Sequence, residues 1–215
     1  MFRKKGFGFL SALIVLVSFL VSAFFYPLLP DSMASHWNYI GKVDGYLPKF
    51  WGAYLMPLIL VFLLALFKVI PVIDPLKKNI KEFYSYYEKF VFVLFLFLFY
   101  IHLLVLLWNL EIEFNFSLAL PPAVGILFFY LGILLENSKK NWFIGVRTPW
   151  TLSNSVVWEK TNQLGGKLFK VAGLTAFLGL LFPDYSINFV LVPVILIAIF
   201  LVIYSYYKYQ KVIEK

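Results

Sequence analysis

Apolar residues in this 215-residue chain gather in runs much longer than the alternation of a half-buried strand or the stripe of a surface helix. Six runs stand out, at 7–29, 50–70, 90–108, 117–135, 168–182 and 187–206. A helix crossing the hydrocarbon layer needs about 20 mostly apolar residues, and in lipid the backbone must satisfy its own hydrogen bonds. The pattern therefore predicts an all-α polytopic membrane protein, a bundle of six transmembrane helices. The fifth run is the shortest and carries Lys170 in its first turn, where a long side chain can reach back to the interface.

Punctuation supports these limits. Pro27 and Pro30 close the first run, Pro71 and Pro75 follow the second, Pro121 and Pro122 mark the first turn of the fourth, and Pro193 interrupts the sixth. Ser11, Ser18 and Ser22 share one face of helix 1, and Ala172, Gly173 and Ala176 one face of helix 5. Small residues let helix backbones approach in lipid, so both faces are expected to meet neighbours. Helix 3, with Phe90, Phe92, Phe95, Phe97 and Phe99, is bulky all round and is expected to face lipid extensively. His102, the one ionisable group in a helix interior, is read as a neutral, hydrogen-bonded histidine.

Composition agrees with a bilayer. The chain is 62% hydrophobic and 14% charged, against about 45–50% apolar usage in soluble domains, and its mean hydropathy is +0.84. It contains no cysteine, which excludes disulfides, thiolate metal sites and thiol chemistry. Of its 19 lysines and arginines, only Lys42 and Lys49 fall on the outer side when the N-terminus is placed inside. Asp31, Asp44, Glu111, Glu113 and Asp184 join them there. This asymmetry predicts that both termini are cytoplasmic. The net charge of +8 thus reports topology and anionic headgroups, with no nucleic acid implied. Arg3-Lys4-Lys5, an apolar run and Val21-Ser22-Ala23 have the form of a cleaved secretory signal, but the run continues through Leu29 and is long enough to stay as a span.

Chemistry is confined to two connectors. The outer one, 30–49, gathers Asp31, His36, Asn38 and Asp44 around Trp37; Gly41, Asp44 and Gly45 are expected to build a turn. Mixed Asp/His/Asn sets suit borderline cations, yet no second histidine at ligand spacing accompanies them, and a structural role for Asp31 and His36 is preferred. The inner one, 136–167, holds Asn141, Arg147, Thr148, Trp150, Trp158 and Asn162. Residues 155–164 read as a short helix stopped by Gly165-Gly166 and lying at the interface with its tryptophans as anchors. Arg147, between Gly145 and Pro149, is expected to fork onto Glu159 or Glu136, with Trp150 and Trp158 beside it. No nucleophile–base pair, paired carboxylates or phosphate-binding loop is present, so no cofactor is expected.

Together the two connectors resemble those of the SdpI family of membrane proteins. Pro30, Asp31, His36, Trp37, Asn38, Gly41, Asp44 and Gly45 are similar to an uncharacterised domain that precedes the SdpI module. Asn141, Gly145, Arg147, Thr148, Pro149, Thr151, Ser153, Trp158, Thr161 and Asn162 resemble the SdpI signature. The resemblance implies two modules, 1–89 with two helices and 90–215 with four. It also implies a non-enzymatic immunity or sensor protein that meets a secreted killing peptide outside and a transcriptional repressor inside, with membrane lipids as its other partners. Asp31, His36, Trp37, Asn38 and Asp44 would serve the outer contact, and Asn141, Arg147, Thr148, Trp150, Trp158 and Asn162 the inner one. The alternative is a membrane enzyme or transporter working through Asp31, His36 and Asp44, with or without a metal.

Overall fold

A computed structural model describes residues 6–38, 41–112 and 114–214; Arg3, Lys4, Lys5, Glu113 and Lys215, used above to orient the chain, lie outside them. Among the described residues seven α-helices follow one another: α1 (Gly6–Phe25), α2 (Lys49–Ile73), α3 (Lys77–Asn109), α4 (Phe116–Asn137), the short α5 (Pro149–Ser153), α6 (Ser155–Thr175) and α7 (Asn188–Ile213). One antiparallel hairpin, β1 (Ser32–Trp37) and β2 (Val43–Pro48), joins α1 to α2. The chain is all-α and polytopic, as expected. The helices α1, α2, α3, α4 and α7 are each long and apolar enough to cross a membrane. Helix α6 falls short in composition, but its 21 residues rise about 31 Å, close to the ~30 Å of a hydrocarbon core.

Two polar segments expected as connectors are helical instead. Helix α3 begins at Lys77, well before residue 90, because Ile80, Phe83 and Tyr87 recur at helical spacing and are buried. Helix α6 runs from Ser155 straight through Gly165-Gly166 and continues as a 3₁₀ segment, Ala176–Leu180. The glycines do not stop it. Gly166 and Gly173 sit where α6 crosses α4: a Cβ on Gly166 would lie 2.5 Å from the Gly132 carbonyl oxygen, and one on Gly173 2.5 Å from that of Gly125. Only glycine allows such backbone approach, the small-residue packing that holds helices together in lipid. Lys170 is held by the neighbouring helix. Its Nζ lies 2.8 Å from each carboxylate oxygen of Glu136 across the same contact.

Helix α3 is the centre of the bundle, which corrects the expectation of a lipid-facing phenylalanine helix. Phe95 is fully buried, and with Ile80, Phe83, Tyr87 and Val91 it forms one core with Ile14 and Val15 of α1, Leu60 of α2 and Leu134 of α4. The serine face of α1 points inward, with Ser11, Ser18 and Ser22 all buried. Ser22 Oγ donates to the Ala53 carbonyl of α2 at 2.7 Å and meets His102 Nε2 of α3 at 2.9 Å, so three helices are tied at one buried point. His102 is satisfied, as read from the sequence. The prolines also shift: Pro71 lies inside α2, and Pro121-Pro122 lies in the second turn of α4, which starts earlier, at Phe116.

Candidate functional site

The outer connector is an ordered hairpin. Ser32 pairs with Pro48, Met33 with Leu47 and Trp37 with Val43, with irregularities around His36. It is clamped to the end of α3 by Asn109, whose Oδ1 accepts from Ala34 N–H at 2.8 Å while its Nδ2 donates to the Ala34 carbonyl at 2.9 Å. An amide side chain thereby mimics a third strand for one residue. Met33 is fully buried against Gly52, and Trp37 stacks on Phe116 at 4.3 Å and meets Trp108 edge-on at 5.7 Å.

Within this hairpin His36 and Asp44 come together, Nδ1 to Oδ1 at 2.5 Å, with side chains 71% and 43% exposed. Such an open pair adds about 0–1 kcal/mol. Asp31 is not part of it. Its carbonyl accepts from Lys49 N–H at the foot of the hairpin, five residues and thus about 17 Å of strand from His36. Among the described residues no three His, Cys, Asp or Glu side chains are grouped as a metal would need.

Beneath the hairpin lies a cavity of about 480 Å³. Its roof is Ser35, His36, Trp37 and Asn38; its walls are apolar residues of α3 and α4, among them Leu98, Ile101 and Leu120. Trp37 lines this space, and its buried indole N–H has no hydrogen-bond partner. Buried donors are rarely left unmet, so Trp37 is an exception at the edge of an apolar slot with a polar rim. The slot suits an apolar side chain.

The inner connector is folded by its own polar side chains. Asn141 is fully buried: its Oδ1 accepts from Phe143 and Ile144 N–H, and its Nδ2 donates to the Lys139 and Ile144 carbonyls. Asn162 accepts from Val146 N–H at 2.8 Å and donates to the Trp158 carbonyl. Trp158 is buried, its Nε1 donating to the Ser138 carbonyl at 3.1 Å, and so is not an interfacial anchor. Gly145, at φ +131°, passes over that ring where a Cβ would come within 2.7 Å of it. Thr148 and Thr151 form a reciprocal cap on α5, and Thr148 Oγ1 also donates to Ser205 Oγ of α7 at 3.0 Å. Trp150 packs edge-on against Tyr206.

Arg147 is exposed, and its Nη1 donates to the Trp142 carbonyl. The expected pairing with Glu159 or Glu136 does not occur. Glu136 faces α6 and is taken by Lys170, while Glu159 points outward and accepts from Gln163. Asp74 holds the loop instead. It is 1% exposed, and its Oδ1 accepts from Leu76 N–H at 2.6 Å and its Oδ2 from Trp142 N–H at 2.9 Å. Asn79 adds a bond to the Lys140 carbonyl at 2.7 Å. The sequence reading passed over Asp74, Asn79 and Asn109. An acid between Pro71 and Pro75 on the strongly basic side was the available signal for the first. With these bonds made, Trp142, Phe143 and Arg147 are left standing outward.

Comparison with known proteins places both motifs. Residues 137–206 match the SdpI/YfhL protein family, and residues 13–61 match a domain of unknown function, DUF1648. The immunity protein SdpI of Bacillus subtilis (strain 168) is 27% identical over 203 residues, which cover 94% of this chain and 95% of that protein. No solved structure matches the chain. By its apolar helices and these matches the chain is a multi-pass membrane protein, and its 137–206 segment is similar to the SdpI/YfhL family.

Proposed function

We propose that the chain is an immunity protein which protects the membrane carrying it from a secreted killing peptide, met at the hairpin and the cavity beneath it. One observation carries this reading: an apolar slot of about 480 Å³ roofed by the hairpin residues Ser35, His36, Trp37 and Asn38. The name of the near-full-length relative supports the same role. In this reading α6 completes six spans, both termini are cytoplasmic and the hairpin is outside, as the charge asymmetry predicts. Trp142, Phe143 and Arg147 then form an inward platform for a cytoplasmic regulator. The enzyme or transporter alternative needs Asp31 beside His36 and Asp44, and the hairpin holds it apart.

The test is protection of a host sensitive to the peptide. Ile101→Trp, which fills the cavity from α3, should abolish protection at unchanged membrane abundance, whereas Lys42→Ala on the exposed hairpin face should not. Full protection by the Ile101→Trp variant would overturn the proposal. Orientation is checked in the same cells with single cysteines at Ser32 and Ser153, both exposed; an impermeant maleimide should label only the first.

A further inference from the structure

We infer that the groove between α3 and α4 on the basic side of the bundle binds an anionic phospholipid, with an acyl chain in the groove and the phosphate on Lys89. The groove has a volume of about 760 Å³. Phe92, Leu96 and Tyr100 wall it on α3, and Ala119, Ala123 and Ile126 on α4. Small residues on α4 opposite aromatic ones on α3 leave a hollow that neither helix fills. It ends at Tyr100, whose hydroxyl donates to the Ala119 carbonyl at 3.1 Å and ties the helices together there.

Length and charge select the occupant. From Lys89 to Tyr100 is eleven helical steps, about 16 Å, and half of a ~30 Å hydrocarbon core is about 15 Å. The groove is therefore about as long as one leaflet is deep, with Lys89 at one end and the Tyr100–Ala119 bond at the other. Lys89 stands exposed at its end with its Nζ 6.0 Å from the Tyr86 ring. Its sequence neighbour Glu88 does not neutralise it there, because that side chain lines a separate small cleft with Ser11, Lys68 and Tyr84 between α1, α2 and α3. A zwitterionic lipid would fill the same groove and leave the amine without a net negative partner. This inference is independent of the immunity reading and of which side of the membrane the basic end faces.

The test uses the full chain in mild detergent, with dioleoyl phosphatidylglycerol and dioleoyl phosphatidylcholine titrated and bound lipid counted by native mass spectrometry. One phosphatidylglycerol should bind about fivefold more tightly than phosphatidylcholine, the change expected for one basic residue at an anionic surface. Lys89→Gln should erase that preference and keep phosphatidylcholine binding. Ala123→Phe, which fills the hollow, should weaken both lipids. Lys89 is exposed, so its variant keeps the test alive should Ala123→Phe fail to fold. Equal affinities for the two lipids in the unaltered protein, or a preference that survives Lys89→Gln, would overturn the assignment. So would displacement of the lipid by glycerol phosphate alone, or a dimer that buries Ala123.

Discussion

Removing the Asp74 carboxylate should loosen the inner connector more than any change at Arg147. Asp74 is 1% exposed and receives two backbone N–H groups, from Leu76 at 2.6 Å and Trp142 at 2.9 Å. Each buried donor left unmet costs about 1–3 kcal/mol. Water can reach this end of the bundle more easily than its centre, so we take about 3 kcal/mol for Asp74→Ala. At about 2–4 °C per kcal/mol for a chain of this size, the melting temperature in detergent should fall by roughly 6–12 °C. Asp74→Asn keeps one acceptor oxygen and should lose about half as much. Hydrogen exchange supplies the local readout: the Trp142 amide should exchange faster in Asp74→Ala, because its acceptor is gone. A melting temperature within about 2 °C of the unaltered protein, together with unchanged exchange over 139–147, would refute the reasoning.

Gly166→Ala should cost about 2–3 kcal/mol by overpacking, since its Cβ would lie 2.5 Å from the Gly132 carbonyl oxygen. Gly165→Ala should cost clearly less, because its nearest neighbour is the movable Leu201 side chain at 3.0 Å; thermal unfolding of the two variants side by side checks this. Arg147→Lys and Arg147→Ala should each stay within about 1 kcal/mol of the unaltered protein, because the side chain is exposed and makes a bond to one carbonyl. A loss of about 3–5 kcal/mol in either variant would mean a buried ion pair after all.

Long apolar runs made the spans legible, because burial in lipid demands them regardless of tertiary detail. The serine face of α1 and the Ala172–Gly173–Ala176 face, which runs from α6 into the 3₁₀ segment after it, were legible for the same reason: small side chains in a span have few uses besides close packing. The polar helical stretch 77–89 was not, and of 155–167 only the part to Leu164 reads as helix, with a stop at Gly165-Gly166 that does not occur. Their charged residues raise the average polarity, and only the recurrence of Ile80, Phe83 and Tyr87, or of Trp158, Thr161 and Asn162, marks a buried stripe. At the inner connector the right residue types were picked for a different job. Asn141, Thr148, Trp158 and Asn162 are spent on backbone bonds within the fold. Partners such as Asp74 for Trp142, or Asn109 for Ala34, lie 68 and 75 residues apart in the chain, and spacing along a single sequence carries no trace of them.

Helix α3 joins the two motif-bearing connectors through one rod. Its 33 residues rise about 50 Å, with the hairpin fastened to Asn109 at one end and the inner connector fastened by Asn79 near the other. A load placed on the hairpin reaches α3 through the Asn109 pair, and α2 and α4 through Met33 and Trp37. The non-helical turn at Phe83 (φ −115°, ψ 16°) lies between the apolar length of the rod and its inner anchorage. The rod is thus two helical lengths meeting at a kink, and the inner connector hangs by Asn79 from the shorter of them.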